Sequence, residues 1–211
     1  MPTPRGLLVD YGGVLTTPLN ESLQAWLRAD GIEPRRFTDL MRRWFAADAG
    51  PNAVHDLETG RIQAAEFERL LAAELEGPDG LPPSHEGMLE RMFAGFRPDE
   101  AMLAAVRRAR AAGIRTGLLS NSFGVDYPRE GWPELFDTVV ISGEVGLRKP
   151  DPAIYALAAE RMALPAEAIV FVDDLPPNIR AATEAGMIGV LHSTADETVA
   201  VLETLLGLSL A

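Results

Sequence analysis

The 211-residue sequence contains no cysteine. Disulfides and thiolate metal centres are therefore excluded. Long hydrophobic runs are missing as well. The apolar stretch inside MPTPRGLLVDYGG is far too short for a signal peptide, and nothing elsewhere reaches the ~20 residues of a membrane span. A cytoplasmic protein with no membrane partner is the expectation. Positive charge is scarce: 19 Lys plus Arg face 31 Asp plus Glu, for a net charge of −12. A nucleic-acid surface would need clustered positive charge, so the balance argues against nucleic acid as a partner. No internal repeat or low-complexity segment interrupts the chain.

Lysine is almost absent. Of the 19 basic residues, 18 are arginine and one, Lys149, is lysine. Sampling in an arginine-biased chain would produce this. So would a site that needs a compact point charge where a planar fork would not fit.

What is present is a set of short apolar, β-branched runs that each end in polar residues. They are GLLVD (6–10), RTGLLSNS (115–122), DTVVISGEVGLRKP (137–150) and AIVFVDD (168–174), with a weaker fifth, MIGVLH (187–192). Runs apolar on both faces are the mark of buried strands in a parallel sheet. Helical patterns alternate with them. Asp99 caps a helix that ends at Gly113, Asp151 with Pro152 opens a second, NIRAATEAG ends a third at Gly186, and ADETVAVLETLLG supplies a terminal one. Strand alternating with helix predicts a doubly wound α/β sheet.

The first half departs from this rhythm. Roughly 100 residues separate Asp10 from the next good strand, far more than one crossover needs. Helical spacing fills them: Leu23, Trp26 and Leu27; Phe37, Leu40, Met41 and Trp44; Phe67, Leu70 and Leu71; Met88, Leu89, Met92 and Phe93. Breaks at GPDGLPP (77–83) and near Phe96–Pro98 punctuate the pattern. Residues 16–96 are thus expected to form an all-helical insert in a core made of 1–15 and 97–211.

Open parallel sheets bind ligands outside the carboxyl ends of their strands. Here those ends carry Asp10, then Ser120 with Asn121, then Lys149, then Asp173 with Asp174. Phosphoryl transfer uses such a set. A carboxylate is already ionised at neutral pH, so Asp10 can attack phosphorus without a base. Repulsion between the two anions would be cancelled by a hard cation held by Asp10 and one of the paired acids, and oxygen ligands point to Mg²⁺. Lys149 adds positive charge, while Ser120 and nearby backbone N–H groups hold phosphate oxygens. Taken singly, each residue has a plainer reading: a strand-terminal Asp is usually a turn or cap, Ser-Asn-Ser a turn, and Asp-Asp-x-Pro-Pro the start of a helix at Asn178. Their order and shared placement favour the site.

These motifs together resemble the haloacid dehalogenase-like hydrolase superfamily, over nearly the whole chain. LLVDYGGVLTT is similar to its first motif, GLLSNS to its second, LRKPDPAIY to its third and FVDDLPPN to its fourth. The resemblance implies a Rossmann-like core with a mobile helical cap. It implies Asp10 as nucleophile, Ser120 as a phosphoryl-binding residue followed by Asn121, and Lys149 as the charge-stabilising residue. It further implies Asp174 as a metal ligand, Asp173 as a supporting acid and Asn178 as a loop-fixing residue. HDLETGRIQAAEFERLL resembles the cap of the branch containing the phosphatase-like N-terminal domain of soluble epoxide hydrolase. The implied activity is Mg²⁺-dependent hydrolysis of a small phosphomonoester through an aspartyl-phosphate, by a monomer or homodimer.

One position departs from the pattern. Most phosphatases that this chain resembles carry a second Asp at position 12, as general acid/base, and its backbone carbonyl also binds the metal. Gly12 keeps the carbonyl and removes an acid worth ~10²–10⁴-fold in rate. His55, Asp56 and Glu58 are candidate donors in its place, although an exposed, charged cap surface is the plainer expectation for each. His85 is expected in solvent, His192 in a structural role, Trp44 in the core, and Arg42 or Arg43 within reach of a substrate anion. Two other functions stay open: a catalytically silent protein that binds a phosphorylated ligand or a partner, and a 2-haloacid dehalogenase. Paired acids without a metal would repel an anionic haloacid, which weighs against the second.

Overall fold

The computed structural model describes residues 3–45, 52–77 and 80–210. In chain order its elements are β1 (Gly6–Val9), α1 (Leu19–Ala29), α2 (Pro34–Trp44), α3 (Ala53–Glu58), α4 (Ala64–Glu74), α5 (Met88–Phe93) and α6 (Glu100–Ala111). They continue with β2 (Arg115–Ser120), α7 (Trp132–Leu135), β3 (Thr138–Ile141), α8 (Ser142–Val145), α9 (Pro152–Arg161), β4 (Ile169–Asp173), α10 (Pro176–Glu184), β5 (Ile188–Leu191) and α11 (Ala195–Leu206). The strands form one parallel sheet in the order β3-β2-β1-β4-β5. All four residues of β1 are buried, which its unbroken apolar sequence requires.

The side-chain period of two splits each strand between the two faces. Leu7, Val9, Leu118, Val170 and Val172 pack with Met102, Val106, Leu202 and Leu206 of α6 and α11. Leu8, Leu119, Ile169 and Phe171 pack with Ile154, Tyr155, Ala158 and Ala182 of α9 and α10. Helices on both faces of a parallel sheet make the doubly wound α/β core that the strand–helix alternation predicts. The expected caps are present: Asp99 accepts from the Met102 N–H at 2.9 Å and Asp151 from the Ala153 N–H at 2.9 Å. Gly113 takes the left-handed φ of +88° that ends α6.

Described residues between Trp26 and Met92 pack a separate apolar cluster, with Phe37, Leu40, Phe67, Leu71 and Met88 among its members. The chain leaves the sheet and returns to it side by side, joined by Thr17 N–H to Arg97 carbonyl at 2.8 Å and Asp99 N–H to Leu15 carbonyl at 2.9 Å. Two sequence expectations are corrected. The run at 137–150 is strand only as far as Ile141, because Ser142 turns inward and α8 follows. The helix expected from Asn178 starts at Pro176, since prolines in a first turn lack only an N–H that would go unpaired. Pro78 and Asp79, inside the predicted break at 77–83, lie outside the described residues. Among the described residues no helix is long and apolar enough to cross a membrane.

Candidate active site

Asp10 follows the central strand, and its N–H donates to the Val172 carbonyl at 2.9 Å, which holds it level with the end of β4. It is 8% exposed. Its Oδ1 accepts from the Tyr11 N–H at 2.8 Å and pairs with Lys149 Nζ at 2.8 Å. Its Oδ2 accepts no hydrogen bond among the described residues. Burial pushes the carboxyl up to about 7, against the pull of Lys149 and with the help of Asp173.

Lys149 is fully buried, and its ammonium bridges Asp10 and Asp173, 2.6 Å from Asp173 Oδ2. Burial alone would lower its pKa, but the two carboxylates outweigh that and hold it above its usual value. The lysine is therefore a permanent cation. Asp173 is fully buried and fully engaged. Its oxygens accept from Lys149, from Asn178 Nδ2 at 2.9 and 3.1 Å, and from the Leu175 N–H at 2.9 Å. Asn178 thus fixes the turn that follows β4 and leaves Asp174, partly buried, free to face elsewhere.

Asp10, Asp173 and Asp174 each offer an oxygen, and these atoms lie within 4.8 Å of one another. Burial, and then Asp173, lift the Asp174 carboxyl to about 6. Three carboxylates beside one ammonium leave a formal charge of −2, and an all-oxygen donor set of that charge suits a hard divalent cation. Two glycines make room around it. A Cβ at Gly13, whose φ is +76°, would come within 2.5 Å of Asp174 Oδ2, so only glycine lets that carboxylate approach. At Gly12 the situation is the opposite, because an added Cβ would meet nothing within 4 Å. The missing side chain there leaves open space.

Ser120, 2% exposed, ends β2, and its hydroxyl shares a 2.9 Å hydrogen bond with the Tyr127 hydroxyl. Burial pushes the Tyr127 phenol up to about 12, so it stays protonated. Asn121 serves the lysine loop: its Oδ1 accepts from the Lys149 N–H at 2.8 Å and its Nδ2 donates to the Lys149 carbonyl at 3.0 Å. A cavity of about 580 Å³ opens beside Tyr127, bounded by Leu57, Ile62, Ser122 and Gly143.

The structure brings Asp10, Ser120, Asn121, Lys149, Asp173, Asp174 and Asn178 to one end of the sheet. It separates others from it. Arg42 and Arg43 lie on the exposed face of α2, paired with Asp39 and Glu74. Trp44 packs on Phe67, with ring centroids 6.0 Å apart. His192, by contrast, follows β5 at the same sheet end, its N–H donating to the Asp173 carbonyl at 2.9 Å and its ring bonding Thr198 Oγ1 at 2.9 Å, while His85 is exposed. Glu58 corrects an expectation: it is 2% exposed and buried against the sheet side, not on a charged surface. Arg148, which binds it, and Tyr127 were not read as site residues from the sequence. Adjacency to the only lysine was a signal for Arg148. Tyr127 lies seven residues beyond Ser120 in a Gly/Pro-punctuated loop and carries no pattern of its own.

A family model described as haloacid dehalogenase-like hydrolase matches residues 4–186. The sesquiterpene phosphatase of Aspergillus oryzae is 32% identical over 143 residues, covering 65% of this chain and 70% of that one. Bifunctional epoxide hydrolase 2 of Sus scrofa is 25% identical over 225 residues, covering 98% of this chain and 39% of that one. The chain also spans less than half the length of two further relatives it matches. Several of the matched relatives are named phosphatases. Among solved structures, a HAD family enzyme of Bacteroides thetaiotaomicron in its magnesium complex shares the fold, with a TM-score of 0.68 at 20% identity over 90% of this chain and 94% of that one. With its motifs gathered at the strand ends and the model match running through most of its length, the chain belongs to the haloacid dehalogenase-like hydrolases.

Proposed function

We propose that this hydrolase is a Mg²⁺-dependent phosphatase of small phosphomonoesters, with Asp10 as nucleophile. The observation that carries the reading is the buried Asp10–Lys149–Asp173 ion triad with Asp174 alongside. Asp173 is saturated by its partners, so Asp10, Asp174 and the Gly12 carbonyl would hold the metal. When bound, Mg²⁺ would offset the negative charge that the carboxylates and the phosphate bring together. Asp10 Oδ2 attacks phosphorus, the ester P–O bond breaks, and the leaving oxygen departs as its anion and takes its proton from solvent water. Water then cleaves the aspartyl-phosphate, releasing phosphate and regenerating the carboxylate. Lys149 balances charge beside the transferring group, and the Ser120 and Tyr127 hydroxyls donate to its oxygens. Residues 16–96 act as the cap over this site.

Gly12 shapes the substrate class. Without a carboxyl at that position, leaving groups that need little protonation are favoured, such as aryl or acyl phosphates. The test is turnover of an aryl phosphate with Mg²⁺, repeated in EDTA and with Asp10→Asn. Turnover that both changes abolish is expected. Gly12 also favours a second reading, a silent member that binds a phosphorylated ligand: magnesium and phosphate binding with no turnover of any ester would select it. Chloride release from a 2-haloacid without metal would replace both readings with dehalogenation.

A further inference from the structure

We infer that Glu58, the last residue of α3, is a positioning residue through which the helical region sets the two loops that carry Ser120 and Lys149. The kinetic part of this inference rests on the phosphatase reading above. Glu58 reaches both loops at once. Its carboxylate accepts from Arg148 Nε and from Asn121 Nδ2, the latter at 3.3 Å. Its backbone carbonyl accepts from the Ser142 hydroxyl, whose oxygen in turn accepts from the Ser122 N–H at 2.8 Å. Asn121 is the residue after Ser120, Arg148 is the residue before Lys149, and the Asn121 amide clamps the Lys149 backbone from both sides. One buried carboxylate from the helical region therefore orients the groups on either side of the reaction.

The contact is built to close tightly. A Cβ at Gly60 would lie 2.7 Å from the Gly143 carbonyl, and one at Gly124 would lie 2.8 Å from Leu57 Cδ1. Glycines on both sides let the backbones meet around Glu58. A charge so buried is stable only while paired. Arg148 supplies the pair only when α3 is seated on the sheet. If the helical region lifts, Glu58 and Arg148 both return to water, and the Asn121 amide loses one of its three partners. Seating the cap and fixing the lysine loop are thus one event.

The experiment pairs Glu58→Gln and Arg148→Ala, singly and together, with the charge-swapped Glu58→Arg/Arg148→Glu protein. Circular dichroism first confirms that each variant is folded. With an aryl phosphate, each single change should lower kcat by roughly ten- to a hundredfold with little change in KM. The double variant should be no worse than either single one, and the swap should recover part of the loss. Hydrogen exchange, which needs no activity, should show faster exchange in residues 53–64 of the Glu58→Gln protein. Wild-type kcat in Glu58→Gln, or additive losses together with unchanged exchange, would overturn the inference and leave the phosphatase reading intact. A wild-type protein that turns over no ester would sink the phosphatase reading, and exchange in residues 53–64 would still decide the role of Glu58.

Discussion

Two buried carboxylates, Asp173 from the sheet and Glu58 from the helical region, are neutralised in different ways. Asp173 has no exposure and receives Lys149, Asn178 and a backbone N–H from elements that share one sheet end. Its partners cannot leave without unfolding that end. Glu58 is nearly as buried, but its partner Arg148 belongs to the other region and keeps a 20% exposed side chain with a route to water. The sheet holds a permanent arrangement of charge. The helical region meets it through a pair whose two members lie on opposite sides of the contact. Under the phosphatase reading proposed above, the chemistry lies on the sheet end and the control of access on the helical region.

Removing the acid from each pair tests that contrast directly. Asp173→Ala leaves a buried lysine short of a partner, a change that costs about 3–5 kcal/mol. Its thermal midpoint should fall by roughly 10 °C. Glu58→Ala should cost only about 1 kcal/mol, because Arg148 can rehydrate. Equal losses in the two melts would mean that both pairs are structural in the same sense.

A smaller effect concerns pH. Burial first, and then neighbouring acids, hold Asp10 at about 7 and Asp174 at about 6, above the unfolded carboxylate value near 3.8. Between those values the native state binds more protons than the unfolded chain, so stability should fall as pH rises from 4 to 7 in EDTA. Glu58 is raised chiefly by burial and contributes with the same sign. Magnesium should restore the sheet-end part of the loss at pH 8 and leave the Glu58 part, which Glu58→Gln removes. A flat melting profile in EDTA would contradict this division.

The smallest expected effect is a gain. An added side chain at position 12 enters open space, so Gly12→Asp should fold normally and speed hydrolysis of alkyl phosphates about tenfold or more. Aryl phosphate turnover should change little. An unchanged alkyl rate would place the proton donor elsewhere, with the helical region the first place to look.

The candidate residues Asp10, Ser120 and Asp173 were legible because each lies at the end of a local apolar run. Their placement needs no knowledge of distant contacts, because strand tips in a parallel sheet must converge; Lys149 lies beyond β3 and α8 and stood out only as the chain's one lysine. Glu58 was misjudged as exposed for the complementary reason. HDLETGRI reads as a polar helix end, and nothing in it says that a partner 90 residues away will bury its acid. Tyr127 escaped because its hydroxyl meets Ser120 only after the loop folds back.

Periodicity and end residues, which are local properties, were enough to specify the doubly wound sheet and to set Asp10, Ser120 and Asp173 at its strand ends. Which of the paired acids is saturated, where Glu58 points, and that Gly12 faces open space depend on contacts between segments far apart in the chain. Those contacts arise only when strand ends far apart in the chain come side by side and the helical cluster packs against them. Burial and pairing energies are set by that meeting, and no window of sequence contains both of its sides.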